Sequence, residues 1–163
     1  MWGRPRSRDN LTAMPDDTTS QGDTAASQDA TTPRTVITFG TFDVLHVGHI
    51  RILKRAASLG DRLVVGVSAD ALNEAKKGRA PVFSQDERLE IISSLKFVDE
   101  VFVEESLELK RDYIVEHRAD VLAMGDDWKG RFDFVSDLCE VVYFPRTPSV
   151  STTELIEHIA NTA

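Results

Sequence analysis

The stretch Gly40-Thr41-Phe42-Asp43-Val44-Leu45-His46-Val47-Gly48-His49 decides the fold of this chain. Just before it, residues 35–39 read Thr-Val-Ile-Thr-Phe, a β-branched run ending at Gly40, which predicts a strand feeding a turn. Just after it, Ile50, Leu53, Ala56 and Ala57 recur at helical spacing until Gly60, which predicts a helix over residues 49–58. The two histidines therefore sit at a strand-to-helix junction. Near the first turn of a helix, positions i and i+3 share a face, so both imidazoles can point toward one cavity. The helix start adds unpaired N–H groups and a partial positive charge, which favour phosphate. Gly40 lets the chain turn sharply, and Gly48 leaves room for a ligand to approach the backbone.

Outward from the junction, the same alternation continues. Apolar strand patterns cover residues 62–68, 98–103, 120–124 and 141–144, and helical patterns cover 85–95, 107–117 and 151–159. Strands alternating with helices imply a parallel sheet covered on both faces. The expected architecture is a single α/β domain over residues 34–163, Rossmann-like and doubly wound, with a five-stranded parallel sheet. Ligands of such sheets bind at the carboxyl ends of the strands. The unusual polar residues follow the first, fourth and fifth strands, so they gather at that edge.

Residues 1–33 are rich in Ser, Thr, Asp, Gln and Gly and nearly lack Val, Ile, Leu and Phe, the composition of a disordered tail. Arg4, Arg6 and Arg8 have no apolar segment behind them, so no secretory signal is read there. No run approaches the roughly 18 apolar residues of a membrane span, so the expectation is a cytoplasmic protein without membrane insertion. With 19 Lys+Arg against 27 Asp+Glu, the net charge is −8, which argues against a nucleic-acid partner. The single cysteine, Cys139, beside an apolar run, reads as a small buried hydrophobe.

The chemistry that suits the histidine pair is nucleotidyl transfer. Negative charge then builds on α-phosphate oxygens and on departing pyrophosphate, and fixed N–H donors lower the barrier. A His-x-x-His pair also suits zinc, but no cysteine or third histidine lies nearby. Asp43 has two readings, a turn cap or a ligand for Mg2+.

Three further segments extend the site. Lys76, Lys77, Gly78, Arg79 and Arg88 form a basic cluster in an otherwise acidic region, with Gly78 and Pro81 marking a loop. Taken alone it suits a solvated loop; taken with the histidines it suits a basic arm over phosphates. Asp126, Asp127 and Trp128 follow the fourth strand and suit a nucleobase: a carboxylate accepts from an exocyclic amine, and an aromatic ring walls the base. Cytosine and adenine both offer that amine. In Arg146-Thr147-Pro148-Ser149-Val150-Ser151-Thr152-Thr153-Glu154, Ser151 and Glu154 have the S-x-x-E spacing of a capped helix. Ser151 and Thr152 bring hydroxyls, and Arg146 a planar cation.

The stretch Gly40–His49 resembles the nucleotide-binding signature of the cytidylyltransferase superfamily, His-x-Gly-His, and the resemblance runs on to Ile159. It implies transfer of CMP from CTP to glycerol 3-phosphate or a similar polyol phosphate, giving CDP-glycerol and pyrophosphate. Such a product serves envelope polymers of the teichoic acid type. The resemblance makes His46, His49, Lys77, Arg88 and Arg146 the catalytic set. Gly40, Thr41, Phe42, Asp43, Gly48, Asp127, Trp128, Thr147, Ser151 and Thr152 become the nucleotide contacts. Lys77, Arg79 and Lys96 become the acceptor contacts. It further implies Mg2+ carried with CTP, and a homodimer. Ser149 stands where the family signature has glycine, which bears on backbone contacts there. The rival readings are an adenylyltransferase of the same superfamily using ATP and a non-catalytic nucleotide-binding module.

Overall fold

The computed structural model describes residues 32–148 and 151–162. The expected tail over 1–33 lies outside the described residues except for its last two positions, and Ser149 and Val150 lie outside them as well. In chain order the elements are β1 (Thr35–Gly40), α1 (Val47–Ala57), β2 (Arg62–Ser68), α2 (Asp70–Lys77) and α3 (Gln85–Ser93). There follow β3 (Glu100–Glu104), α4 (Lys110–Glu116), β4 (Val121–Gly125), β5 (Glu140–Phe144) and α5 (Thr152–Thr162). Two single-turn 3-10 helices, Asp126–Trp128 and Asp133–Val135, lie between β4 and β5.

All neighbouring strands pair in parallel, in the order β3-β2-β1-β4-β5. The chain winds outward from β1 to β2 and β3, then crosses back to β4 on the other side of β1. The switch point thus falls between β1 and β4, where a doubly wound sheet opens a crevice at its carboxyl edge. The register brings Gly40 beside Val67, and Ser68 beside Glu104, so the last residues of β1, β2 and β3 share that edge.

Both faces of the sheet are covered, as the strand composition requires. On one face Ile37, Phe39, Val64, Leu122 and Met124 pack with Tyr113 and Ile114 of α4 and with Phe132, Val135 and Cys139. On the other, Val36, Leu63, Val65, Val67, Val121 and Ala123 pack with Leu53 and Ala56 of α1 and Ile92 of α3. Each such aliphatic side chain removed from water contributes about 1.5–3 kcal/mol.

The expected fold class and all five strands are present. One helix was not expected. Residues 70–77 form α2, which takes in Lys76 and Lys77 of the cluster expected on a loop, and Gly78 closes it in the left-handed conformation at φ 69°. Only glycine enters that region without strain, so Gly78 is a helix cap rather than the middle of a flexible loop. The helix expected over 107–117 is shorter, starting at Lys110 after a turn at residues 107–109.

Candidate active site

The junction forms a tight, strained turn. Phe42 and Val44 hold positive φ values of 52° and 45°, unusual for any side chain and most costly for a β-branched one. The buried carboxylate of Asp43, between them, holds the turn in place. Its Oδ1 accepts from the N–H groups of Val44 (3.1 Å) and Phe83 (2.9 Å), and its Oδ2 from the N–H of Val82 (2.8 Å). The Phe42 ring folds back over Gly40, where a Cβ would meet it at 2.7 Å; any side chain at Gly40 would displace the ring.

His46 caps α1 and His49 lies in its first turn. The two rings stack, with centroids 3.8 Å apart and planes 22° from parallel. His46 Nδ1 accepts from the Gly48 N–H at 3.1 Å, and His49 Nδ1 accepts from the His46 N–H at 3.4 Å. A neutral imidazole with Nδ1 accepting carries its proton on Nε2. His46 Nε2 therefore donates to Thr152 Oγ1 (3.2 Å), whose hydroxyl donates to the Asp43 carbonyl (3.3 Å). This chain ties the start of α5 to the turn. His49 Nε2–H is left as the donor available to the cavity.

Burial holds the His46 imidazole below its ordinary range. His49 is held lower still, at about 4, chiefly by burial and then by the neighbouring His46; the Asp43 charge opposes this and the Lys77 charge adds to it. Both rings are thus neutral near pH 7, and neither spends positive charge on holding the other. A sign follows for stability. Between about 4 and 6.5 the unfolded chain binds a proton that native His49 does not. Denaturant unfolding should therefore show this contribution intact above pH 6.5 and lost as pH falls toward 4. His49→Gln should flatten that part of the curve; an unchanged slope would contradict the burial of the ring.

A cavity of about 330 Å3 opens at this edge of the sheet. Among the predicted residues, Gly40, Thr41, Phe42, Asp43, His49, Lys77, Arg79, Asp127, Trp128 and Thr152 line it. His46 stands behind His49 rather than on the wall. Ser151 accepts from the Glu154 N–H at 3.1 Å, the predicted cap of α5. Arg146, largely exposed, reaches Asp127 at 3.5 Å, an ion pair at the rim of the kind that contributes about 0–1 kcal/mol. The Trp128 ring packs on Phe132, with centroids 5.3 Å apart. Gly48 and Thr147 are not on the wall.

Two expected phosphate contacts are not brought to the cavity. Arg88 is fully buried and its guanidinium is spent inside the fold. It donates to the carbonyls of Phe83 (3.0 Å), Thr41 (2.8 Å) and Ser68 (2.8 Å) and pairs with Asp70. Lys96 lies exposed in the turn after α3, which runs antiparallel to the strands and carries its end to the opposite edge of the sheet. The Mg2+ reading of Asp43 does not fit either, because its oxygens already accept three backbone N–H groups. Among the described residues no three His, Cys, Asp or Glu side chains group to hold a metal.

Several residues on the wall or floor escaped sequence reasoning, among them Asn73, Leu107, Glu104 and Lys110. Asn73, buried on α2, bonds to Thr41 Oγ1 through its carbonyl and to the carbonyls of Ser68 (3.2 Å) and Ala69 (3.0 Å) through its amide. Glu104 and Lys110, both buried, form an ion pair, and Ser68 Oγ donates to Glu104 at 2.6 Å.

The cytidylyltransferase-like family model matches residues 37–158. A glycerol-3-phosphate cytidylyltransferase of Bacillus subtilis (strain 168) is 51% identical over 125 residues, 77% of this chain and 96% of that one. An FAD synthase of Thermococcus sibiricus is 46% identical over 92 residues, 56% of this chain and 62% of that one. The crystal structure of the lipopolysaccharide core biosynthesis protein from Thermoplasma volcanium GSS1 superposes with a TM-score of 0.64 at 30% identity, covering 71% of this chain and 99% of that one. With its parallel sheet, its histidine junction and these matches over most of its length, the chain belongs to the cytidylyltransferase-like family.

Proposed function

We propose that this chain transfers CMP from CTP to glycerol 3-phosphate or a similar polyol phosphate, giving CDP-glycerol and pyrophosphate. The observation that carries the reading is the stacked pair of imidazoles, with His49 on the wall of a cavity that also holds lysines and an Asp-Trp turn. The 51% identity to a glycerol-3-phosphate cytidylyltransferase over nearly all of that relative supports the substrates.

The reaction is an in-line displacement. An oxygen of the acceptor phosphate attacks the α-phosphorus of CTP, and the bond to the β-phosphate oxygen breaks. The second pKa of a phosphomonoester is about 6, so the nucleophile is already ionised at pH 7 and needs no general base. Positioning and electrostatics carry the step. His49 Nε2–H donates to the α-phosphate as charge builds there. His46 holds His49 in place and fixes Thr152. Lys77, Arg79 and Arg146 neutralise phosphates, and Thr152, Ser151 and the start of α5 receive the β/γ end. Asp127 and Trp128 receive the cytosine. A divalent cation enters on the triphosphate, as part of the substrate.

Pyrophosphate release from CTP and from ATP, each with glycerol 3-phosphate, tests the nucleotide. The expected result is turnover with CTP and at least about 10-fold less with ATP. Turnover with ATP alone would turn the assignment toward the FAD synthase relatives. A homodimer in the cytoplasm, making a precursor for envelope polymers such as teichoic acid, belongs to the same reading. Light scattering of the purified chain checks the dimer. Among the described residues no helix is long and apolar enough to cross a membrane.

A further inference from the structure

Asn73 is polar and only 1% exposed, yet it lines the cavity beside Thr41 and Ser68. The reaction described above makes no use of it. Its amide nitrogen reaches the carbonyls of Ser68 (3.2 Å) and Ala69 (3.0 Å), and carbonyl oxygens only accept. Turning the side chain over would set Oδ1 against both of them. The NH2 group is therefore fixed on those carbonyls, and Oδ1 is fixed on Thr41 Oγ1 at 2.5 Å. Of these two oxygens only the hydroxyl carries a proton, so Thr41 donates to Asn73.

The consequence lies on the cavity side. A threonine hydroxyl has one donor and two lone pairs. With its proton spent on Asn73, Thr41 Oγ1 offers the cavity lone pairs alone. Ser68, the next hydroxyl on that wall, is in the same state, because it donates to Glu104 Oε2 at 2.6 Å. The hydroxyls at the ends of β1 and β2 thus act as acceptors. An ionised phosphate also only accepts, so it finds no partner in them and takes its donors from His49, Lys77 and Arg79. Thr41 suits a ligand group that donates. Apart from the cytosine amine, which Asp127 receives, the donors on CTP and on a polyol phosphate are hydroxyls.

We infer that Asn73 is a positioning residue: by holding the Thr41 proton it makes Thr41 Oγ1 an obligate acceptor for one substrate hydroxyl. The inference rests on the reading that the substrates are CTP and a polyol phosphate. The hydroxyl belongs either to the ribose or to the acceptor, and the same chemistry serves both.

The test is a cycle between protein and substrate. Pyrophosphate release is measured for the wild type and Thr41→Val with CTP, 2′-deoxy-CTP and 3′-deoxy-CTP, and with glycerol 3-phosphate and propyl phosphate. The analogue that lacks the bonded hydroxyl should lose about 3–10-fold more kcat/KM in the wild type than in Thr41→Val, the size of one neutral hydrogen bond. Coupling to a deoxy-CTP assigns the ribose, and coupling to propyl phosphate assigns the acceptor. The loss should appear in the KM of that substrate and not of the other. Thr41→Ser should keep the coupling. Asn73→Ala keeps the hydroxyl but frees its proton to turn, and should shrink the coupling to about twofold or less. Equal losses with every substrate in Thr41→Val, as a phosphate donor would give, overturn the inference and leave cytidylyl transfer standing. Full coupling in a folded Asn73→Ala overturns it as well. If Asn73→Ala does not fold, the Thr41→Val cycle decides. If CTP supports no turnover with any acceptor, the proposed function falls, and the same cycle is read from calorimetric affinities, where absence of coupling overturns the inference.

Discussion

His49→Ala is expected to lower kcat by about 10²–10³-fold while the affinity for CTP changes by less than about threefold. The reason lies in which nitrogen is free. His46 uses Nδ1 to cap Gly48 and Nε2 to hold Thr152, and His49 uses Nδ1 to accept from the His46 backbone. One ring nitrogen of the pair, Nε2 of His49, remains to meet charge that grows only as the α-phosphate is attacked. A donor of that kind contributes to the transition state and little to the ground state, so its loss should appear in kcat. His46 acts differently. It positions His49 by stacking and anchors α5, so His46→Asn, which can still cap the helix, should retain more activity than His46→Ala. Steady-state kinetics with pyrophosphate detection, together with calorimetry for CTP, separate these outcomes. Equal losses in turnover and in CTP affinity for His49→Ala would favour a nucleotide-binding module over an enzyme.

The contrast between these histidines and the rest of the site shows what a sequence can carry. The junction was legible because its parts are local: a β-branched run, a glycine, and two histidines on one helical face all fall within 15 residues of one another. The start of α5 was legible for the same reason, since the Ser151 hydroxyl accepts from the Glu154 N–H within one turn. Helix α2 was not read, although Ala71, Leu72 and Ala75 stand at helical spacing, because it is short and its one buried residue is the polar Asn73. Lys110 and Glu104 meet only after β3 has paired with β2 and α4 has turned back over Phe39. No spacing rule announces that encounter. Lys96 failed through direction: a residue at the far end of a helix that starts at the site is carried to the other edge of the sheet. Asp43 was read as either cap or metal ligand, and three backbone N–H groups from two loops decide for the clamp.

Arg88 carries the second large prediction, because sequence and structure assign it opposite work. Read as a sequence, it joins the basic cluster and should grip phosphate. In the fold it is wholly buried, and its planar fork joins the end of β1, at the Thr41 carbonyl, to the end of β2, at the Ser68 carbonyl, and to the turn before α3. A lysine lacks the fork for this, and an apolar residue takes the guanidinium donor from three carbonyls, of which Ser68 alone keeps the Asn73 amide. Arg88→Met is therefore expected to cost about 3–5 kcal/mol of folding stability, the usual range for breaking a buried charged network. Arg88→Lys should lose less, since it keeps the charge beside Asp70. Thermal unfolding of the two variants against the wild type measures this, and in a domain of this size each kcal/mol moves the midpoint by roughly 3–6 °C. The kinetic counterpart is a weak one: whatever Arg88→Lys protein remains folded at low temperature should bind CTP nearly as the wild type does. An Arg88→Met protein with an unshifted midpoint and a KM for CTP raised more than about 10-fold would return Arg88 to the phosphates. The clamp between β1 and β2 would then have to be sought in Asn73, which touches two of the same three residues.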